Sequence, residues 1–115
     1  MKLIIKREQA EKRGLLGGHK GMRFLLAFRV ELTPEEKDLV TKYRAEDTPL
    51  IFATDKAGNS YPKYTVKNLI QGSNEIADDV TILLNYEEEL KKACQTFKTL
   101  LEVMASFGGE ETFEF

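Results

Sequence analysis

Eleven consecutive residues alternate in character, with Met22, Phe24, Leu26, Phe28, Val30 and Leu32 on one phase and Arg23, Leu25, Ala27, Arg29 and Glu31 on the other. A period of two belongs to a pleated strand, whose successive side chains point to opposite faces, and it demands a sheet with one face in a core. Lys2 to Lys6 is a second β-rich run. Between the two lies a polar stretch that ends in the glycine-rich Gly14-Leu15-Leu16-Gly17-Gly18-His19-Lys20-Gly21. This order predicts a long N-terminal hairpin with a glycine-rich tip. Pairing could extend through Glu8 to Arg13, where no hydrophobic alternation fixes the register.

Downstream signals are shorter but chemically specific. Thr33-Pro34-Glu35-Glu36 has the form of a capping box with proline at the first helical position, which predicts a helix over about Pro34 to Arg44. Its narrow apolar stripe of Leu39, Val40 and Tyr43 suits a helix on the surface of the sheet. Leu50 to Thr54 and Ser60 to Tyr64 read as a second, short hairpin around Asp55 to Asn59, and Pro62 implies an edge because it cannot donate to a ladder. Thr65 can cap a short helical turn through Ile70, closed by Gly72.

A long C-terminal helix is expected to end at Gly108 and Gly109 and to begin either at Asn85 or earlier, near Asp79. Its apolar residues Leu90, Ala93, Cys94, Phe97, Leu100, Leu101 and Met104 recur at threes and fours. Thr112 to Phe115 reads as a last short edge strand, with Phe113 and Phe115 on one side. The elements lack the regular βαβ rhythm of a parallel sheet. The expected fold is therefore α+β: one domain over residues 1–115, a mostly antiparallel sheet of four to five strands, and the long and a shorter helix packed on it.

Composition limits function. The chain has 115 residues, 42% hydrophobic and 31% charged, enough for one core without disulfides or a structural metal. One cysteine, Cys94, cannot bridge internally, and the first residues carry no secretory pattern, so a cytoplasmic setting is expected. No apolar run approaches the ~20 residues that span a bilayer, so no membrane partner is expected.

Net charge is −2, yet residues 1–32 hold eight basic and three acidic residues (+5), while 75–115 hold three basic and ten acidic (−7). These ends can neutralise each other across the fold, or the basic end can present a face to a polyanion. The residues that would make phosphate contacts are Arg7, Lys12, Arg13, Lys20 and Arg23, with Gly18 and His19 shaping the tip. Lys20 is followed by glycine and a strand rather than by Ser/Thr and a helix, so the nucleotide-hydrolase phosphate loop is absent. Gly18-His19-Lys20-Gly21 shares the Gly-x-x-Gly spacing of KH-type RNA-binding loops, but those join two helices.

No catalytic centre is expected. His19 is the only histidine, which removes histidine dyads and multi-histidine metal sites. Cys94 lies on the apolar stripe of its helix and reads as a small buried hydrophobe. Glu87, Glu88 and Glu89 lack calcium-loop spacing and read as a solvated face that complements a helix N-terminus, so neither metal nor cofactor is expected. What remains is a non-catalytic protein-interaction or oligomerising module, with Tyr61, Tyr64, Phe113 and Phe115 as candidate edge contacts. The alternative is polyanion or nucleic-acid binding through the basic hairpin.

Overall fold

A computed structural model describes the backbone of residues 1–13 and 20–115, and the side chains of 1–9 and 23–115. The predicted hairpin is the longest feature: β1 (Lys2–Arg13) pairs antiparallel with β2 (Lys20–Glu31), from Lys2 opposite Glu31 to Arg13 opposite Lys20. Pairing therefore does continue beyond Lys6. On β2 the alternation sorts side chains as its pattern requires, with Leu26, Phe28 and Val30 each no more than 5% exposed.

Helix α1 (Pro34–Lys42) starts where the capping box predicts: the Glu36 amide donates to the Thr33 hydroxyl at 3.2 Å, and the Thr33 amide donates to the Glu36 carboxylate at 2.9 Å. It packs chiefly against the long C-terminal helix rather than on the sheet, with the Tyr43 ring edge-on to Phe107 at 4.8 Å between centroids. That helix already covers the sheet, so the narrow stripe around Val40 meets it instead.

Strands β3 (Pro49–Thr54) and β4 (Ser60–Thr65) form a separate two-stranded sheet, in which Pro62 lies opposite Phe52. Helix α2 (Val66–Gln71) has its own capping box from Thr65 and Asn68. Its first amides donate to carbonyls of the loop between α1 and β3, Val66 to Thr48 at 3.1 Å and Lys67 to Glu46 at 2.8 Å. Gly72 closes it at φ 78°, and a Cβ there would lie 2.6 Å from the Phe28 carbonyl oxygen. Both the backbone angle and the close approach require glycine.

Gly72 delivers the chain into β5 (Ser73–Ala77), which pairs antiparallel with Phe24–Phe28 and gives the sheet order β1-β2-β5. The fifth strand is thus Ser73–Ala77. The expected C-terminal edge strand does not form: residues 112–115 have no regular secondary structure and pair with no strand among the described residues, and Phe113 and Phe115 are exposed. Phenylalanines at a two-residue spacing supply a pattern, but a strand also needs a neighbouring edge.

Helix α3 (Val80–Ala105) begins at the earlier of the two candidate positions, since the Asp79 carboxylate accepts from the Ile82 amide at 2.8 Å. Its buried residues Leu83, Glu87, Leu90, Cys94, Phe97, Leu101 and Met104 step by four and three, one continuous stripe against the core. The arrangement is α+β, with five strands in antiparallel sheets, a long C-terminal helix and shorter helices. Among the described residues no third strand joins the ladder beyond Phe24, and the molecule measures 65 × 34 × 26 Å. Its radius of gyration of 18.0 Å exceeds the ~13 Å of a compact chain this long.

Candidate interaction surface

The register of the three-stranded sheet fixes which side chains share a face. Opposite residues in an antiparallel ladder point the same way. One face carries Leu3, Ile5 and Arg7 from β1, Phe24, Leu26, Phe28 and Val30 from β2, and Glu75 and Ala77 from β5. Beneath it runs α3, joined to the sheet by an ion pair. The Arg7 guanidinium donates from Nε to Glu87 Oε2 at 2.9 Å and from Nη2 to Glu87 Oε1 at 2.5 Å. Glu87 is 3% exposed, and Arg7's hydrogen bonds hold its carboxyl below the usual range although burial pushes the other way.

A second polar tie links β4 to α3 and β5. The Tyr64 hydroxyl donates to Glu75 at 2.8 Å, and its ring stands edge-on to Phe28 at 5.6 Å. Burial first, and then that bond to a carboxylate, raise the phenol's pKa. Lys63 meets Glu89 while lying over the rings of Tyr86 and Tyr64, at 5.1 and 5.7 Å. Burial alone would lower the pKa of the Lys63 ammonium, but the Glu89 carboxylate more than offsets it and leaves it raised.

The outer face is different. Its rows, read across the ladder, are Lys2 and Glu31; Ile4 and Arg29; Lys6, Ala27 and Asn74; then Glu8, Leu25 and Ile76. Ile4, Leu25 and Ala27 are only partly buried, and Ile76 is 57% exposed. The C-terminal end of α2 borders this face at Gln71, beside Ile4 and Ala27. A groove of about 360 Å³ runs along this face, bordered by Ile4, Lys6, Ala27, Arg29, Gly72 and Asn74. It has an apolar floor and two cations at its rim. The ion pairs here are exposed: Lys6 with Glu8 at 3.0 Å and Arg29 with Glu31 at 3.6 Å. Such pairs hold their partners weakly.

The residues singled out from the sequence are scattered rather than brought together. Of the basic set, Arg7 is engaged by Glu87, and Arg23 lies 3.8 Å from Asp78. Both pairings join the basic N-terminal segment to the acidic C-terminal one, as neutralisation across the fold requires. Lys12, Arg13 and Lys20 belong to the β1–β2 ladder, but their side chains, and Gly18 and His19 entirely, lie outside the described residues. Of the edge set, Tyr61 is 45% exposed, whereas Tyr64 is 4% exposed and a core residue. Phe113 is 70% exposed and Phe115 fully so.

Two expectations about α3 also change. Glu87, Glu88 and Glu89 do not form a solvated N-terminal face, because the helix begins two turns earlier and each points elsewhere: Glu87 to Arg7, Glu88 to Lys91 at 3.3 Å, Glu89 to Lys63. Among the described residues no three His, Cys, Asp or Glu side chains are grouped to hold a metal ion. Cys94 is buried as expected, and burial pushes its thiol up to about 11. No helix among the described residues is long and apolar enough to cross a membrane.

Sequence reasoning missed the outer face. Leu25 and Ala27 sit on the polar phase of β2, and apolar residues on both phases of one strand are the available signal. Compared with known proteins, the chain matches no family model, no curated protein and no solved structure.

Proposed function

We infer that this chain is a non-catalytic protein-interaction module whose docking surface is the outer face of the β1-β2-β5 sheet, and that it oligomerises through that face. The supporting observation is the partly exposed row of Leu25 and Ile76 beside the Ile4–Ala27 groove, in a sheet whose other face packs into the core against α2, α3 and Tyr64 of β4. Sedimentation velocity over a range of concentrations tests it. The wild-type chain is expected to gain mass with concentration, and Ile76→Asp to remain a monomer with an unchanged circular dichroism spectrum. Equal association by Ile76→Asp would overturn the reading.

Polyanion binding is the second reading, supported by the backbone placement of Lys12, Arg13, Lys20 and Arg23 on the part of the ladder that extends past β5. The pairing of Arg7 and Arg23 with acids of the same chain weighs against it. Binding of mixed-sequence RNA or DNA that falls steeply with added salt would support it, and absence of binding at 50 mM salt would end it (about a hundredfold loss between 50 and 200 mM salt is expected for a few phosphate contacts).

A further inference from the structure

Residues 110–115, Glu-Glu-Thr-Phe-Glu-Phe, have the alternation of a strand, yet in their own chain they pair with nothing among the described residues. They leave α3 through Gly108, at φ 93°, and Gly109, and run beside its last turns near Thr99, Glu102 and Val103. Phe113 and Phe115 are both exposed there. Large aromatic side chains left in water on an acidic segment without regular structure have a ready use in trans, where the segment can be drawn out as a strand.

The outer sheet face is complementary to this segment in spacing and in charge. Extended residues two apart are separated by roughly 7 Å, which is also the separation of Ala27 from Leu25 along β2. Two aromatic rings at that spacing match the two apolar zones of the face, Ile4 with Ala27 and Leu25 with Ile76. The groove's rim offers Lys6 and Arg29, while the segment carries Glu110, Glu111 and Glu114. The exposed pairs that Lys6 makes with Glu8 and Arg29 with Glu31 can be exchanged for the incoming glutamates at little cost.

We propose that the outer face of the β1-β2-β5 sheet receives the acidic–aromatic segment Glu110–Phe115 of a second copy of this chain, with Phe113 and Phe115 on the Ile4–Ala27 and Leu25–Ile76 zones and the glutamates at Lys6 and Arg29. Reciprocal exchange about a two-fold axis closes the pair as a dimer and leaves no open sites for further growth. The proposal rests on the outer face being the docking surface and names what fills it.

The test uses the full-length chain and sedimentation equilibrium. Phe113→Ala combined with Phe115→Ala, both at exposed positions, is expected to weaken association at least tenfold without altering the thermal midpoint measured at concentrations where both chains are monomeric. Lys6→Glu with Arg29→Glu should weaken it likewise, and adding Glu111→Lys with Glu114→Lys to that variant should restore it. Restoration identifies the contacting surfaces in a way that loss alone does not. A wild-type chain that is monomeric throughout, or a double phenylalanine variant that associates normally, overturns the proposal. If Ile76→Asp dissociates the assembly while the phenylalanine variant does not, the docking face stands and its proposed occupant is wrong.

Discussion

The two faces of the β1-β2-β5 sheet use the same strands to opposite ends. On the inner face Leu26, Phe28 and Val30 are sealed in the core shared with α2, α3 and Tyr64, and the inward Arg7 finds a buried carboxylate. On the outer face Leu25 and Ala27, one residue out of phase, are only partly covered, and Ile76 of β5 stands mostly in water. The inner face holds this chain together. Its outer counterpart contributes little to that and is available for another chain. The lesson is that apolar character on a strand has to be judged by phase: one phase supports the fold, and apolar residues on the other phase need a separate explanation.

Substitutions on the two faces should therefore differ in size and in kind. Leu26→Ala, at a fully buried position, is expected to cost about 3 kcal/mol in urea unfolding while leaving any association of the remaining folded chain intact. A cost below about 1 kcal/mol would show that the inner face is less tightly packed than its burial implies.

Acid should act on the inner face next. Because the folded Glu87 carboxyl lies below its ordinary 4.5, its pairing contributes stability that is complete above that pH and lost as pH falls through the lower, folded value. Thermal midpoints measured from pH 6 down to pH 2 should fall more steeply in the wild type than in Glu87→Gln, which has no such proton to take up. Parallel curves would mean that the Arg7 pair is not what acid breaks.

The smallest effect is expected outside. Ile76→Ala should shift unfolding free energy by under about 0.5 kcal/mol, because the side chain is already mostly hydrated. A large loss in the monomer would make Ile76 part of the fold rather than of a docking surface.

What was legible in the sequence follows the range of each interaction. The β1–β2 hairpin, the Thr33 and Thr65 caps and the α3 stripe are written in neighbouring residues, and each appears as expected. Strand β5 was not legible: Ser73-Asn74-Glu75-Ile76-Ala77 has little strand character of its own and is a strand because β2 offers it an edge. Residues 112–115 show the converse, a strand pattern that pairs with no edge among the described residues. The start of α3 was ambiguous because Asp79 and Asn85 are both able to cap, and the burial of Leu83 explains why the earlier one does so. The Arg7–Glu87 pair, 80 positions apart, has no local signature at all.

The place of β5 has a kinetic consequence. Its ladder with β2 opposes Phe28 and Ser73, 45 positions apart, so the central strand gains its second neighbour only after a long chain segment has been closed. The β1–β2 and β3–β4 hairpins close shorter loops and can form without that entropy loss. Arrival of β5, with α3 directly behind it, is then the step that topology makes slow. Until it is complete, β2 exposes a backbone edge and an apolar face together, the combination from which mispairing between copies begins.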